Sequence, residues 1–241
     1  MRRIRYQEIA DELRERLAGE PVGSVLPSES EMSAEFGASR VTIRRALELV
    51  RDDGLIAARQ GFGWYVAGEP VRQSLESLGT IESEVEGIGK LSERKIEEFA
   101  FEDAPDRVRR VLGVAQVLRV KRVNLADGVP FAVVTVWCPA ELGATLSRRD
   151  VERRPFYELL DVRFRGATQT IGADLASPGD ARLLGVPAGA PLLRCQRVTT
   201  DQAGQALLMS EHLFSAHRTE FVVELPQAEP SMTPSGLRLV D

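Results

Sequence analysis

Helix-stopping residues punctuate the start of this chain at short intervals: Gly19 with Pro21, then Gly37, then Gly54. Each interval has room for only a few helical turns. Before the first stop, Tyr6, Ile9, Ala10, Leu13 and Leu17 recur at helical spacing. Pro21 to Pro27 reads as a turn-rich loop. Ser28-Glu29-Ser30-Glu31 is a capping box, in which Ser28 caps a helix and Glu31 reaches back to it. Ser39 can cap a third helix, predicted from Arg40 to Asp53, with Ile43, Ala46, Leu47 and Val50 as its buried stripe. Arg40, Arg44 and Arg51 fall on its other side, with Arg45 beside them. Leu55–Arg59 and Trp64–Val66 are strand-like runs around Gln60-Gly61-Phe62-Gly63, which predicts a hairpin with a glycine-permissive tip.

Three short helices and a hairpin make a winged helix-turn-helix. A short helix fits the major groove of DNA, and its first side chains meet base edges. The formal net charge of the chain, −5, argues mildly against a nucleic-acid partner. Residues 1–68 are nearly neutral, however, with ten basic and eleven acidic side chains, so an arginine cluster can dominate one face. The bland alternative for Arg40, Arg44, Arg45 and Arg51 is a solvated helix face. With 43% hydrophobic and 28% charged residues, the chain has the composition of a folded globular protein. No apolar run approaches the ~20 residues of a membrane span, and the basic start followed by an acidic amphipathic segment does not read as a secretory signal. Cys138 and Cys195 are too few and too far apart for a disulfide framework or a zinc site, so a cytoplasmic location with reduced thiols is expected, and no metal or cofactor.

Four parts are expected: residues 1–68 as the winged helix, 69–89 as a polar linker, 90–225 as a second domain, and 226–241 as a tail. The linker can add a strand or short helix to its neighbour. The second domain contains a diverged repeat. Pro105-Asp106 to Leu112-Gly113-Val114, the run Leu118–Val123 and a turn at Asp127-Gly128 match Pro178-Gly179-Asp180 to Leu184-Gly185-Val186, the run Leu193–Val198 and a turn near Ala203-Gly204. Phe131–Cys138 and Ala206–Ala216 are return strands, and Thr168–Ala176 is a strand leading into the second helix. Two helix-plus-hairpin units predict an α+β domain, an antiparallel sheet with its helices on one side.

Tyr6-x-x-Ile9-x-x-x-Leu13, Leu26-Pro27-Ser28-Glu29, Phe36-Gly37-Ala38-Ser39-Arg40-x-Thr42-Ile43-Arg44-x-Ala46-Leu47, Asp53-Gly54-Leu55-Ile56 and Gly61-x-Gly63-x-x-Val66 resemble the GntR-type winged-helix transcription regulators. The resemblance implies operator-DNA contacts by Ser28, Ser39, Arg40, Thr42, Arg44 and Gly61, with Arg45 added as a neighbour. Trp64 stands where a small hydroxyl residue is usual in the wing, which means either packing or an altered reach.

Residues 90–225 resemble the UTRA effector domain of the HutC branch of these regulators. The carrying features are Leu112-Gly113-Val114, Arg122, Asp127-Gly128-x-Pro130, Pro155-Phe156-Tyr157-x-x-Leu160, Ile171-x-Ala173, Leu184-Gly185-Val186 with Pro191-Leu192-Leu193, and Arg197. The resemblance implies a chorismate-lyase-like fold, a homodimer and a ligand held between sheet and helices. Where phosphosugar-binding members carry a second arginine, this chain has Asn124. Their acidic return-strand positions align with Val134 and Leu208, and a late aspartate with His217. Carboxylates serve sugar hydroxyls, so their loss favours a small carboxylate or partly apolar ligand. Arg122 and Arg165 are the candidate anion grips, Asn124, Tyr157 and His212 the polar contacts, and Phe156 and Phe214 the apolar walls. Arg122 and Arg197 also occupy equivalent repeat positions, so a pair of structural arginines stays open. So do core roles for Phe156 and Phe214. Trp137 is assigned to the core.

The leading function is a ligand-responsive, DNA-binding repressor acting as a homodimer on a palindromic, double-stranded operator, without membrane contact. A lyase-like enzyme acting on a small acidic substrate is the alternative, with no GxSxG, GxGxxG, HExxH or P-loop pattern and only two histidines to support it. A third reading is a regulator that has lost its ligand.

Overall fold

The computed structural model describes residues 4–60, 62–68, 71–74, 85, 87, 89 and 91–223. The tail 226–241, the tip glycine Gly61 and most of the linker lie outside them.

Helices α1 (Arg5–Leu17), α2 (Glu29–Phe36) and α3 (Arg40–Asp52) form at the predicted places, α3 stopping one residue early. Their ends are set locally. The Ser28–Glu31 capping box is closed in both directions, and the Ser39 side chain accepts from the Thr42 amide. Gly37 and Gly54 take left-handed φ values of 57° and 78°, which glycine adopts without steric cost. Ile9, Leu13, Met32, Phe36, Ile43, Leu47, Val50 and Ile56 bury one core among the three helices and the first strand. Strands β1 (Ile56–Arg59) and β2 (Gly63–Val66) pair antiparallel as the wing. Within the linker, β3 (Val71–Ser74) runs parallel to β10 (Thr219–Val222).

The second domain is built on a six-stranded antiparallel sheet in the order β4-β5-β6-β9-β8-β7. Its strands are β4 (Ser92–Asp103), β5 (Gln116–Ala126), β6 (Val129–Pro139), β7 (Phe164–Leu175), β8 (Pro191–Asp201) and β9 (Ala206–Ser215). The repeat appears as two strand–helix–hairpin units: β4, α4 (Asp106–Leu112), β5 and β6, then β7, α8 (Pro178–Leu184), β8 and β9. The sheet order places β6 against β9 at the centre and β4 and β7 at the edges, so the units are related by a pseudo-two-fold. Gly113 and Gly185 end the two helices at φ 71° and 64°. Asp127 and Gly128, both at positive φ, turn β5 into β6, as a two-residue hairpin requires.

The expected one-sided helix layer is corrected. Alternate residues of the same strands enter different cores. Leu118, Val120, Val134 and Cys138 pack with Val151, Phe156 and Leu160, which belong to or border α6 (Arg148–Arg153) and α7 (Phe156–Leu159). A single-turn helix, α5 (Ala140–Gly143), lies on the same face, where Gly143 approaches Leu118 and Cys138. Val117, Val123, Val133 and Trp137 face the other way, onto α4 and α8. Helices therefore cover both faces. Sequence reading missed the second layer because residues 140–160 form pieces of one to two turns, too short for a helical period to register.

Candidate nucleic-acid interface and ligand site

The first turn of α3 presents Ser39, Arg40 and Val41 to solvent, with Thr42 half-buried. Ser39 Oγ and Thr42 Oγ1 share a 2.8 Å hydrogen bond, which fixes both hydroxyls at the helix start. Arg44 and Arg45 are exposed one turn further on. Arg44 is forked onto Glu29 of α2, with Nη2 donating to Oε2 at 2.7 Å and Nε to Oε1 at 3.1 Å. The Arg44 guanidinium holds the Glu29 carboxyl below its usual range, and a hydrogen bond from Trp64 acts in the same direction. Trp64 thus ties the wing to α2 while packing on the winged-helix core, which decides for the packing role. Ser28 is exposed at the start of α2. Arg51 is in the last turn, bonded to Asp52 and roughly 16 Å along the axis from Arg40, so it is not part of the leading cluster.

A polar group sits on the α5–α7 face of the sheet. Arg122 and Asn124 of β5 are 7% and 0% exposed, and Arg122 Nε donates to Asn124 Oδ1 at 3.2 Å. His212 of β9 lies 2.9 Å from Ser210 Oγ through Nε2, and its ring stacks on Phe214. The ladder sets Arg122 opposite Val134, and Val134 opposite His212. Tyr157 of α7 shares a 3.2 Å hydrogen bond with Thr199 of β8. Phe156 and Phe214 are buried in the core on this same face. Six of the seven expected ligand residues therefore share one face. Arg165 is the exception: it is exposed at a bulge in the edge strand β7, and the ladder puts four strand steps between it and Arg122.

The ladder puts Ser210 opposite Arg197, as Val134 is opposite Arg122. Arg197 donates through Nε to Gln169 Oε1 at 2.8 Å, a bond within the sheet. His217, which aligns with the late aspartate, lies just beyond the end of β9, at the junction with the winged helix. Its Nδ1 meets Ser215 Oγ at 2.6 Å and its Nε2 the Gly23 carbonyl at 3.2 Å. Among the described residues, no group of three His, Cys, Asp or Glu side chains is placed to hold a metal, and no helix is long and apolar enough to cross a membrane.

Burial pushes the His217 imidazole down to about 4, and the charges of Arg218 and Arg59 add to the shift against the opposing Gly23 carbonyl. Above pH 6.5 the ring is neutral in both folded and unfolded chains. As pH falls from 6.5 towards 4, only the unfolded chain takes up the proton, so stability is lost across that window, by about 3 kcal/mol at its end. Denaturant midpoints of the protein and of His217→Gln are expected to converge as pH drops from 7 to 4.5. Parallel pH profiles would show that His217 is not the group.

A capped helix leading with Ser, Arg and Thr, a wing, and a separate sheet domain with a buried polar group together define a winged helix-turn-helix regulator with an effector domain. Residues 5–66 match the family described as bacterial regulatory proteins, gntR family, and residues 89–220 match the UTRA domain. The chain belongs to the GntR family of transcriptional regulators, in its UTRA-bearing HutC branch. It is 31% identical to the HTH-type transcriptional regulator Rv0792c of Mycobacterium tuberculosis over 92% of this chain and 84% of that one. It is 30% identical to the histidine utilization repressor of Pseudomonas putida over 72% of each. The crystal structure of PhnF from Mycobacterium smegmatis, 28% identical, superposes with a TM-score of 0.62 over 91% of this chain and all of that one.

Sequence reasoning missed Glu29 as the partner of Arg44, and Phe62 as a domain contact. Phe62 did carry a signal: an aromatic ring between two glycines at a hairpin tip has little reason to face water.

Proposed function

We propose that this protein is a repressor that binds a palindromic operator as a homodimer and is controlled by a small carboxylate or partly apolar metabolite. The observation that carries the DNA reading is the exposed Ser39-Arg40-Val41 start of α3, with Ser28, Thr42, Arg44 and Arg45 around it. Hydroxyls and helix-start amides suit phosphates, and an exposed arginine suits a guanine edge. Relatives named as repressors, including PhnF of Mycolicibacterium smegmatis, support the sign of regulation. A two-fold dimer matches a palindrome. Support for the ligand class comes from Arg122, flanked across the ladder by Ile96 and Val134, with Asn124, His212 and Tyr157 on the same face. A guanidinium fork between apolar neighbours suits a carboxylate better than a polyol.

The test is fluorescence anisotropy with a duplex from upstream of the protein's own gene, against a shuffled duplex at the same salt. Tighter binding to the native duplex, and a mass by light scattering of twice 26.6 kDa, are expected. A monomer that binds a single half-site as well as the palindrome would overturn the dimer reading. Melting shifts with monocarboxylates and dicarboxylates, set beside hexose phosphates, test the ligand class.

A further inference from the structure

The wing of a winged helix works by its tip, which reaches the DNA backbone or minor groove beside the recognition helix. Here the tip side chain is elsewhere. Phe62 is 3% exposed and buried among Val123, Val133, Leu184, Val186 and Leu192 of the effector domain. The His217 ring lies on it, with centroids 3.9 Å apart, and Tyr65 of the wing meets both rings edge-on. Around these rings, Arg59 Nη1 donates to the Ala216 carbonyl at 2.7 Å, and His217 Nε2 bonds the Gly23 carbonyl. Gly23 takes φ +83°, and a Cβ there would lie 2.3 Å from Arg218 Cδ, so the loop before α2 is also seated closely on the effector domain. Grooves open on either side of the contact. One is lined by Arg59, Tyr65, Ala216 and Glu220, the other by Pro27, Trp64 and Pro187.

We propose that this is an autoinhibitory clamp: the effector domain holds the wing tip through Phe62 and His217, and DNA binding requires the wing to undock. A ring buried in a neighbouring core cannot at the same time lie along a groove about 6 Å wide. The clamp also has a built-in connection to the ligand site. Strand β9 carries Ser210 and His212 on the ligand face, and its end carries Ser215, which bonds His217. A ligand that shifts β9 acts on both ends of one rigid element, and so biases the docked and undocked states. This inference rests on the regulator reading above.

The test uses the full chain and the duplex from upstream of its own gene. His217→Ala removes the ring that covers Phe62, on a residue that does not face the recognition helix. Its affinity for that duplex is expected to rise about tenfold, because apparent affinity scales with the undocked fraction. An unchanged or weaker affinity in a variant with wild-type helix content would overturn the clamp. Amide hydrogen exchange of the unaltered protein gives a second readout that needs no variant. Residues 59–66 and 215–218 are expected to exchange faster on the effector side, and to reorganise on the wing side, when the duplex is added. Saturating duplex with unaltered protection at 215–218 would overturn the clamp and leave the regulator reading standing. Absence of binding to any duplex would overturn both.

Discussion

Arg40→Ala is expected to weaken operator binding by roughly 5- to 150-fold, the value of one bidentate base contact at ~1–3 kcal/mol. Arg40 opens α3, is exposed, and follows a helix start whose hydroxyls are already fixed. Its loss removes base reading, so binding to a shuffled duplex should change far less. Arg45→Ala serves as the contrast. As a phosphate contact it should weaken both duplexes alike and lower the salt slope by about one. Arg44 differs from both, because Glu29 already occupies its fork at 2.7 and 3.1 Å. It must exchange a carboxylate for a base or phosphate, so part of its contact energy is offset by the ion pair it leaves. Anisotropy titrations on both duplexes at three salt concentrations separate these cases. If Arg40→Ala lowers both affinities equally, Arg40 is a backbone contact and base reading lies elsewhere on α3.

The winged helix was legible because its instructions are local. Ser28, Glu31 and Ser39 cap helices within four residues of themselves, and Gly37 and Gly54 stop them by backbone conformation alone. The repeat was legible for the same reason, since proline starts, glycine stops and the Asp127-Gly128 turn each act over a few residues. What escaped were features that depend on partners far along the chain. The leading strand β4 bears Glu, Arg and Lys beside its apolar residues and is fixed by pairing with β5, not by alternation. The single-turn helices on the second face are held by the sheet they cover. Residue types suggested a candidate ligand site, and the ladder register sets Arg122, Asn124 and His212 on neighbouring strands of one face and Arg165 on the edge strand. His217 resembled a ligand position by alignment, but its surroundings come from the docked wing and the Gly23 loop, nearly 200 residues away in sequence.

Arg122 decides whether the polar group is a ligand site or part of the scaffold. Removing one member of a buried hydrogen-bonded pair leaves the other unsatisfied, so replacing Arg122, which bonds the fully buried Asn124, with an apolar chain costs stability. Arg122→Met is therefore expected to lower the melting temperature while the domain stays folded, because the buried Asn124 loses this bond as Ile96 and Val134 keep the position packed. Ligand response is the property it should lose. Truncating one partner of a buried charged hydrogen bond costs ~2–5 kcal/mol, roughly 30- to 5,000-fold in affinity for a bound carboxylate. The melting shift given by the best monocarboxylate or dicarboxylate should vanish, while affinity for the operator duplex without ligand stays within about twofold. Arg122→Lys should fall short of restoring it, since an ammonium keeps the charge but not the planar fork. Arg197→Met is the internal control. Its partner is Gln169 within the sheet, so it should leave the carboxylate shift intact. An unchanged carboxylate shift in Arg122→Met would make Arg122 the structural twin of Arg197 and move the ligand site off this face of the sheet.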